Sequence, residues 1–273
     1  MKINSIINVH THFRKHNDID AKVTFWRKCG CEKVCVHVTG MTEDDVRHSN
    51  KTLLPWLKKY PDFLLGFALP KLGWKPSIAE DVDKFKEQGF FGLKFIAPSY
   101  PYDSEKYFPL YERAEKLNMP VLFHTGIMAQ CDNQRELGIS QDKMRAIRLD
   151  TIARAFIKLR IMLAHLGGPE FNMGLDLIMS FSNIWGDFSG DSGSERRFTT
   201  LMKHLAPLPG ADMSDPMQNL ALDYFKKLCF ATDNPDPPVW IDLSKRLMDR
   251  LEIPLETREC FWKKNAQDWL GIP

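Results

Sequence analysis

Several things are missing from this sequence, and each absence narrows what it can be. No apolar run approaches the roughly 20 residues that a membrane-spanning helix needs. The opening stretch Met1 to Asn8 has no apolar core of the length, about 7–15 residues, that a secretory signal requires. The expectation is a cytoplasmic protein with no membrane partner. A charge bias is missing too: 37 Lys and Arg against 35 Asp and Glu leave a net charge of +2 with no pronounced basic run, so nucleic acid is not an expected partner. Cysteine is sparse. The six residues Cys29, Cys31, Cys35, Cys131, Cys229 and Cys260 read as reduced thiols rather than as a disulfide framework. Gly/Ser linkers, low-complexity tracts and composition breaks are also lacking, so residues 1–273 are expected to form one domain.

What is present is an ordinary globular composition, 44% apolar and 26% charged, arranged in a recurring unit. A short apolar run rich in β-branched or aromatic residues is followed by a turn and then by a stretch with helical spacing. The runs, each read as a strand, are Ile3 to Val9, Lys33 to Val38, Phe63 to Leu69, Phe91 to Ile96, Pro120 to His124, Ile161 to His165, Asn183 to Phe188, and Leu228 to Thr232. Between and after them the spacing predicts helices over Ala21 to Gly30, Glu43 to Tyr60, Lys75 to Gly89, Ser104 to Asn118, Arg145 to Leu159, Pro169 to Ser180, Asp215 to Lys227, and Val239 to Leu251. Near-continuously apolar strands alternating with helices indicate a parallel sheet covered on both faces. About eight such units in roughly 250 residues close a (β/α)8 TIM barrel, whereas open doubly wound sheets more often stop at about five or six strands. The barrel is the expected fold, with the open sheet as its alternative.

In such a barrel the chemistry sits at the C-terminal ends of the strands, which directs attention to the polar residues there. The first run ends His10-Thr11-His12. Residues i and i+2 of a strand share a face, so both imidazoles are expected to project into the barrel mouth as a metal-ligand pair. The fifth and sixth runs end on His124 and His165, and the eighth leads into Asp233. A capped or hydrogen-bonded turn residue is the bland reading of any one of these. Five such side chains at strand ends together favour a site.

These residues carry a resemblance. His10-Thr11-His12, the strand-end His124, the stretch Ile161 to Gly168, Ala231 to Pro235 and the tail Asn265 to Gly271 resemble, in order and spacing, the amidohydrolase superfamily. The branch most similar is amidohydrolase family 2, which includes the aminocarboxymuconate semialdehyde decarboxylase type. The resemblance implies that His10, His12 and His124 are metal ligands and that Asp233 is a ligand or the proton shuttle beside it. It implies that His165 is a base standing behind the ligands or a further ligand. The implied cofactor is a divalent metal, zinc first, with manganese, iron, cobalt or nickel as alternatives.

Lys94 in the fourth run is read as a contact for a substrate carboxylate. The alternatives are the carboxylated bridge between two metals found in some superfamily members, or a lysine that merely snorkels to the mouth. Arg196 or Arg197, in a polar glycine-containing segment after the seventh run, could clamp a carboxylate or form a surface ion pair. Cys29, Cys31, Cys35 and His37 lack the spacing of a zinc cluster and read as structural. His16, His48 and His204 read as solvated or capping residues. Trp74, Tyr100 and Trp185 could wall a pocket, with ordinary packing the plainer reading.

The expected function is that of a metal-dependent hydrolase in which metal-activated water attacks an ester, lactone or amide carbonyl of a small carboxylated substrate. A metal-dependent non-oxidative decarboxylase is the alternative, and a non-catalytic small-molecule-binding barrel the second. A homo-oligomer is left open.

Overall fold

The structure, a computed structural model, describes residues 5–13, 18–38, 43–128, 130, 134–190, 195–206, 219–234 and 236–273. Among these residues, seven parallel strands follow one another in chain order across the sheet. They are β1 (Ile6–Phe13), β2 (Cys31–Val38), β3 (Leu64–Ala68), β4 (Gly92–Phe95), β5 (Val121–Phe123), β6 (Ile161–Leu163) and β7 (Ile184–Gly186). The helices are α1 (Ile19–Lys28), α2 (Glu43–Lys59), α3 (Ala79–Glu87), α4 (Phe108–Lys116), α5 (Gln134–Leu137), α6 (Arg148–Ala155), α7 (Phe171–Ser180), α8 (Glu195–Leu205), α9 (Leu220–Phe225), α10 (Pro237–Arg250), α11 (Leu255–Glu259) and α12 (Asn265–Leu270). No helix among the described residues is long and apolar enough to cross a membrane.

The eighth expected strand does its topological job without being a regular strand. Gly186 N donates to Lys227 O at 3.1 Å and Cys229 N to Gly186 O at 2.9 Å, joining this segment to β7. On its other edge Val9 N donates to Phe230 O at 3.0 Å and His12 N to Asp233 O at 2.9 Å, joining it to β1 and curling the sheet into a TIM-barrel-like ring. It departs from strand geometry because Phe230 N bonds to Phe261 O instead, and because Asp233 turns into the left-handed region at φ 55. Helix α8 was not expected from the sequence. The expected helix over Asp215 to Lys227 appears only as α9, its first residues falling outside those described, as do Cys131 and His16.

The period-two alternation of the strands sorts their side chains into two layers. Ile6, Val34, Leu64, Leu93, Val121 and Ile161 pack outward beneath the helices. Ile7, Val9, Cys35, Phe67, Leu122 and Met162 fill the interior, where Trp269 of α12 stacks on Phe67 at 5.3 Å and plugs the end opposite the mouth. Arg160, just before β6, fixes that plug through Nε to Trp269 O at 2.7 Å. Continued along the strands, the inward set leads to His37 two residues beyond Cys35 and His124 two beyond Leu122, and it places Lys94 inward between Leu93 and Phe95. In β1 the ladder slips between Asn8 and Thr11. Such an irregularity re-aims side chains, and here it turns His10 and His12, not Thr11, toward the same interior as Val9.

Candidate metal centre

At the mouth end these inward positions change from apolar to imidazole and carboxylate. His10 is fully buried, and its Nδ1 lies 3.2 Å from Asp187 Oδ2. Asp187 directly follows β7 and is itself wholly buried; its Oδ1 accepts from Ser189 N at 2.9 Å, Ser189 Oγ at 2.5 Å and His165 N at 3.2 Å. Burial pushes the Asp187 carboxyl up, but its bonds to His10 and Ser189 and the nearby His165 prevail and hold it below the ordinary carboxylate range. An anionic Asp187 requires the His10 proton to sit on Nδ1, which leaves Nε2 with a free lone pair. Burial, followed by the neighbouring Lys94, pushes His10 down to about 3, so its ring is neutral at ordinary pH.

Asp233 Oδ1 stands 3.6 Å from His10 Nε2 and 2.8 Å from His12 Nε2, so these three residues meet directly. Burial works to raise the Asp233 carboxyl, but His12, His165 and His10 outweigh it and hold the group strongly acidic. Thr11 Oγ1 donates to Asp233 O at 3.0 Å, and Asn234 Nδ2 donates to Asp233 Oδ2 at 2.8 Å. Lys94, also fully buried, places Nζ 3.1 Å from His10 Nε2; burial lowers its ammonium to about 8 against the upward pull of Asp233 and Asp187.

His124 and His165 form the other side. Their rings are 5.0 Å apart, and both line a cleft of about 640 Å³ together with Asp233, Ser189, Gly190 and Arg196. His165 Nδ1 lies 2.8 Å from the Ser189 carbonyl oxygen, which can only accept, so Nδ1 carries the proton and Nε2 keeps its lone pair. His165 and Asp233 both hold left-handed backbone angles, φ 62 and φ 55, a conformation that costs a non-glycine residue about 1–3 kcal/mol and that clusters at functional sites. Gly190 is required beside them: at φ 103 it passes so close that a Cβ there would stand 2.6 Å from His165 Nδ1. The buried hydroxyl of Tyr102 reaches Phe95 O at 3.1 Å and His124 O at 3.0 Å, tying the ends of β4 and β5 together.

The donor chemistry fits a metal ion. Among the described residues, neither ring nitrogen of His124 has a hydrogen-bond partner, and the same holds for His37, although both residues are buried. An unsatisfied buried polar group costs about 1–3 kcal/mol, and ligation would relieve that cost. Burial holds both rings far below the ordinary histidine pKa, in the neutral form that a ligand needs. Among the described residues, two trios can each bring one donor atom per residue within 4.8 Å of the others: His10, His12 and His37, and His10, His165 and Asp187. His124 is in neither trio.

Of the residues singled out in the sequence, His10, His12 and Asp233 therefore meet at contact distance, with Lys94 against His10. His124 and His165 adjoin across the cleft, and Arg196 stands on its wall at the surface. Arg197 also lines the cleft, but its guanidinium is engaged by Phe188 O and Ser189 O at 2.9 and 2.7 Å and lies over Phe171. Trp74, Tyr100 and Trp185 are not among the cleft-lining residues. Two participants escaped the sequence reading. Asp187 follows its strand just as His124 follows β5, and that placement was the available signal. His37 lies in register with His12 across the β1–β2 ladder, a relation the sequence does not display.

Known proteins bear on this arrangement in two ways. Solved structures of similar fold include a dihydroxybenzoic acid decarboxylase from a Polaromonas species with bound manganese and the inhibitor 2-nitroresorcinol, at 16% identity, TM-score 0.64 and coverage of 98% of this chain and 97% of that one. A 2,6-dihydroxybenzoate decarboxylase from Rhizobium matches at 15%, 0.63 and 99% of each chain. A 5-carboxyvanillate decarboxylase from Sphingomonas paucimobilis matches at 13%, 0.62 and 99% and 100%. At such identities the likeness is one of fold. No curated protein gives a sequence match. The amidohydrolase family model, however, matches residues 7–272. That span is nearly the whole chain and contains each residue of the cluster, and the protein belongs to the amidohydrolase family.

Proposed function

We propose that the protein is a metal-dependent non-oxidative decarboxylase of a small, conjugated carboxylic acid, most simply a hydroxylated benzoate. The observation that carries the reading is the pairing, in one cleft, of a proton-accepting imidazole with a carboxylate that its histidine neighbours hold ionised. His165 Nε2 bears a lone pair because Nδ1–H is committed to Ser189 O, and Asp233 stays anionic. Decarboxylation of this kind needs a proton delivered to the carbon that bears the carboxylate, after which the C–C bond breaks and its electrons return to the conjugated system. His165 Nε2 is the group that takes up and passes on that proton: burial lowers its pKa and favours release, while the charge of Asp233 opposes this and stabilises the imidazolium while it exists. A divalent ion held by His10, His12, His124 and Asp233 would supply the positive charge that binds and orients the substrate's oxygen atoms. Arg196 on the cleft wall is the candidate partner for a further carboxylate. The volume of about 640 Å³ falls within the range usual for small-molecule sites.

The similar structures support this reading over the hydrolase expected first from the sequence, since they carry out decarboxylation on this fold. Hydrolysis would use the same groups. The manganese in one of them supports a divalent ion in general and does not single out zinc. The test is an assay of metal-reconstituted protein on a panel of hydroxybenzoates, with released carbon dioxide as the readout. In heavy water a single deuteron is expected at the vacated carbon. Turnover of esters, lactones or amides without carbon dioxide release from any carboxylated substrate would restore the hydrolase.

A further inference from the structure

His37 has no part in the scheme above, yet it sits among the groups that do. Its ring packs edge-on against His12 at 4.2 Å and lies nearly parallel to His10 at 5.6 Å. The residue is 1% exposed, and among the described residues neither Nδ1 nor Nε2 has a hydrogen-bond partner. Packing alone does not account for this choice, because a phenylalanine would fill the same space without leaving two buried nitrogens unpaired. Donor atoms of His10, His12 and His37 fall within 4.8 Å of one another. Ligands bound about 2.0–2.2 Å from a common ion lie roughly 3–4.4 Å apart, so only a small closure of the trio is needed.

We propose that His37 is a ligand of the same divalent metal as His10 and His12, three imidazoles from adjacent strands forming one face of the coordination sphere. The proposal rests on the metal-centre reading above and deepens it by adding a donor and a selectivity. With His37 the set becomes nitrogen-rich, and Asp233 supplies its carboxylate. Imidazole suits zinc, copper, iron and nickel, and cobalt stands above manganese in the general affinity order of first-row divalent ions, whereas carboxylate, carbonyl and water suit manganese. The His37 nitrogen therefore adds to the advantage that cobalt, nickel and zinc already hold over manganese at such sites.

The full-length protein, stripped of metal, is titrated calorimetrically with cobalt and with manganese, and the visible absorption of the cobalt form is recorded. Wild type is compared with His37→Phe and, as a control, His12→Phe; thermal melts of the metal-free proteins report folding. In His37→Phe the cobalt affinity is expected to fall by about 100-fold or more, the manganese affinity by less, and the ligand-field bands to move. Wild-type cobalt affinity and spectrum in His37→Phe, with binding lost in His12→Phe, would overturn the role of His37 and leave the metal centre standing. Unchanged binding in both variants would overturn the centre as well. Should His37→Phe not fold, wild-type protein carrying isotopically labelled histidine and loaded with NMR-active cadmium decides the question. A metal coupling on the His37 ring supports the proposal, and its absence where the His10 and His12 couplings are seen overturns it.

Discussion

Replacing Asp187 by Asn isolates the group that sets the His10 proton. Asp187 Oδ1 accepts three donors, from Ser189 N, Ser189 Oγ and His165 N, and an asparagine carbonyl can go on doing so. The other terminal atom then becomes an amide nitrogen 3.2 Å from His10 Nδ1, placing two N–H donors face to face. His10 can escape by moving its proton to Nε2, but Nε2 is the nitrogen that faces Asp233 and Lys94, and a protonated nitrogen is no ligand. The loss is that of a charge-assisted hydrogen bond, about 1.5–3 kcal/mol. At about 1.4 kcal/mol per tenfold, that corresponds to roughly a 10- to 100-fold weaker metal affinity, in line with removal of the group behind a ligating histidine. Because the Asp187 pKa is depressed in the fold, its stabilisation is fully present above the unfolded value of about 3.9. It is lost as pH falls from there through the folded value, so Asp187→Asn is expected to flatten the acid limb of unfolding below about pH 4. Zinc titration by calorimetry, with denaturant unfolding of the metal-free protein as control, is the assay. Wild-type zinc affinity in a folded Asp187→Asn protein would refute the assignment of the His10 proton.

Three further outcomes are expected. Asp233→Asn should reduce turnover by about 100-fold or more even where metal can be restored by excess; nearly full turnover by a metal-loaded variant would show that the Asp233 charge does not stabilise the His165 imidazolium. Gly190→Ala, whose Cβ would press 2.6 Å from His165 Nδ1, should lower kcat while leaving metal content unchanged; a normal kcat would show that the loop yields without moving the ring. Lys94→Met deletes a donor 3.1 Å from His10 Nε2 and should raise metal affinity by about tenfold or more. A loss of metal in that variant, from two ions per wild-type chain to one, would indicate a carboxylated bridging lysine instead.

The sequence displays the frame of this molecule better than its centre. Near-continuous apolar runs such as Phe63 to Leu69 are legible as covered parallel strands because both of their faces are buried. The His-x-His pair and the strand-end His124 and His165 follow from the period of a strand and the polarity of a barrel's mouth. What the period alone does not display is how His10 and His12 come to share the interior with Val9. Strict alternation from Ile7 and Val9 would send Thr11 inward, and the slip between Asn8 and Thr11 presents His10 and His12 in its place. His37 looks structural within Cys35-Val36-His37-Val38, since its significance lies in register with His12, a tertiary fact. The eighth segment was legible as a strand from its apolar residues, but its break at Phe230 depends on Phe261, distant in the chain.

The most direct test of the account is elemental analysis of the purified, folded protein after gel filtration, set beside the His10→Ala, His12→Ala double variant. The account expects about one divalent transition-metal ion per wild-type chain and almost none in the variant, since losing two ligands should weaken binding by about several orders of magnitude. An equal metal content in the two folded proteins would contradict it.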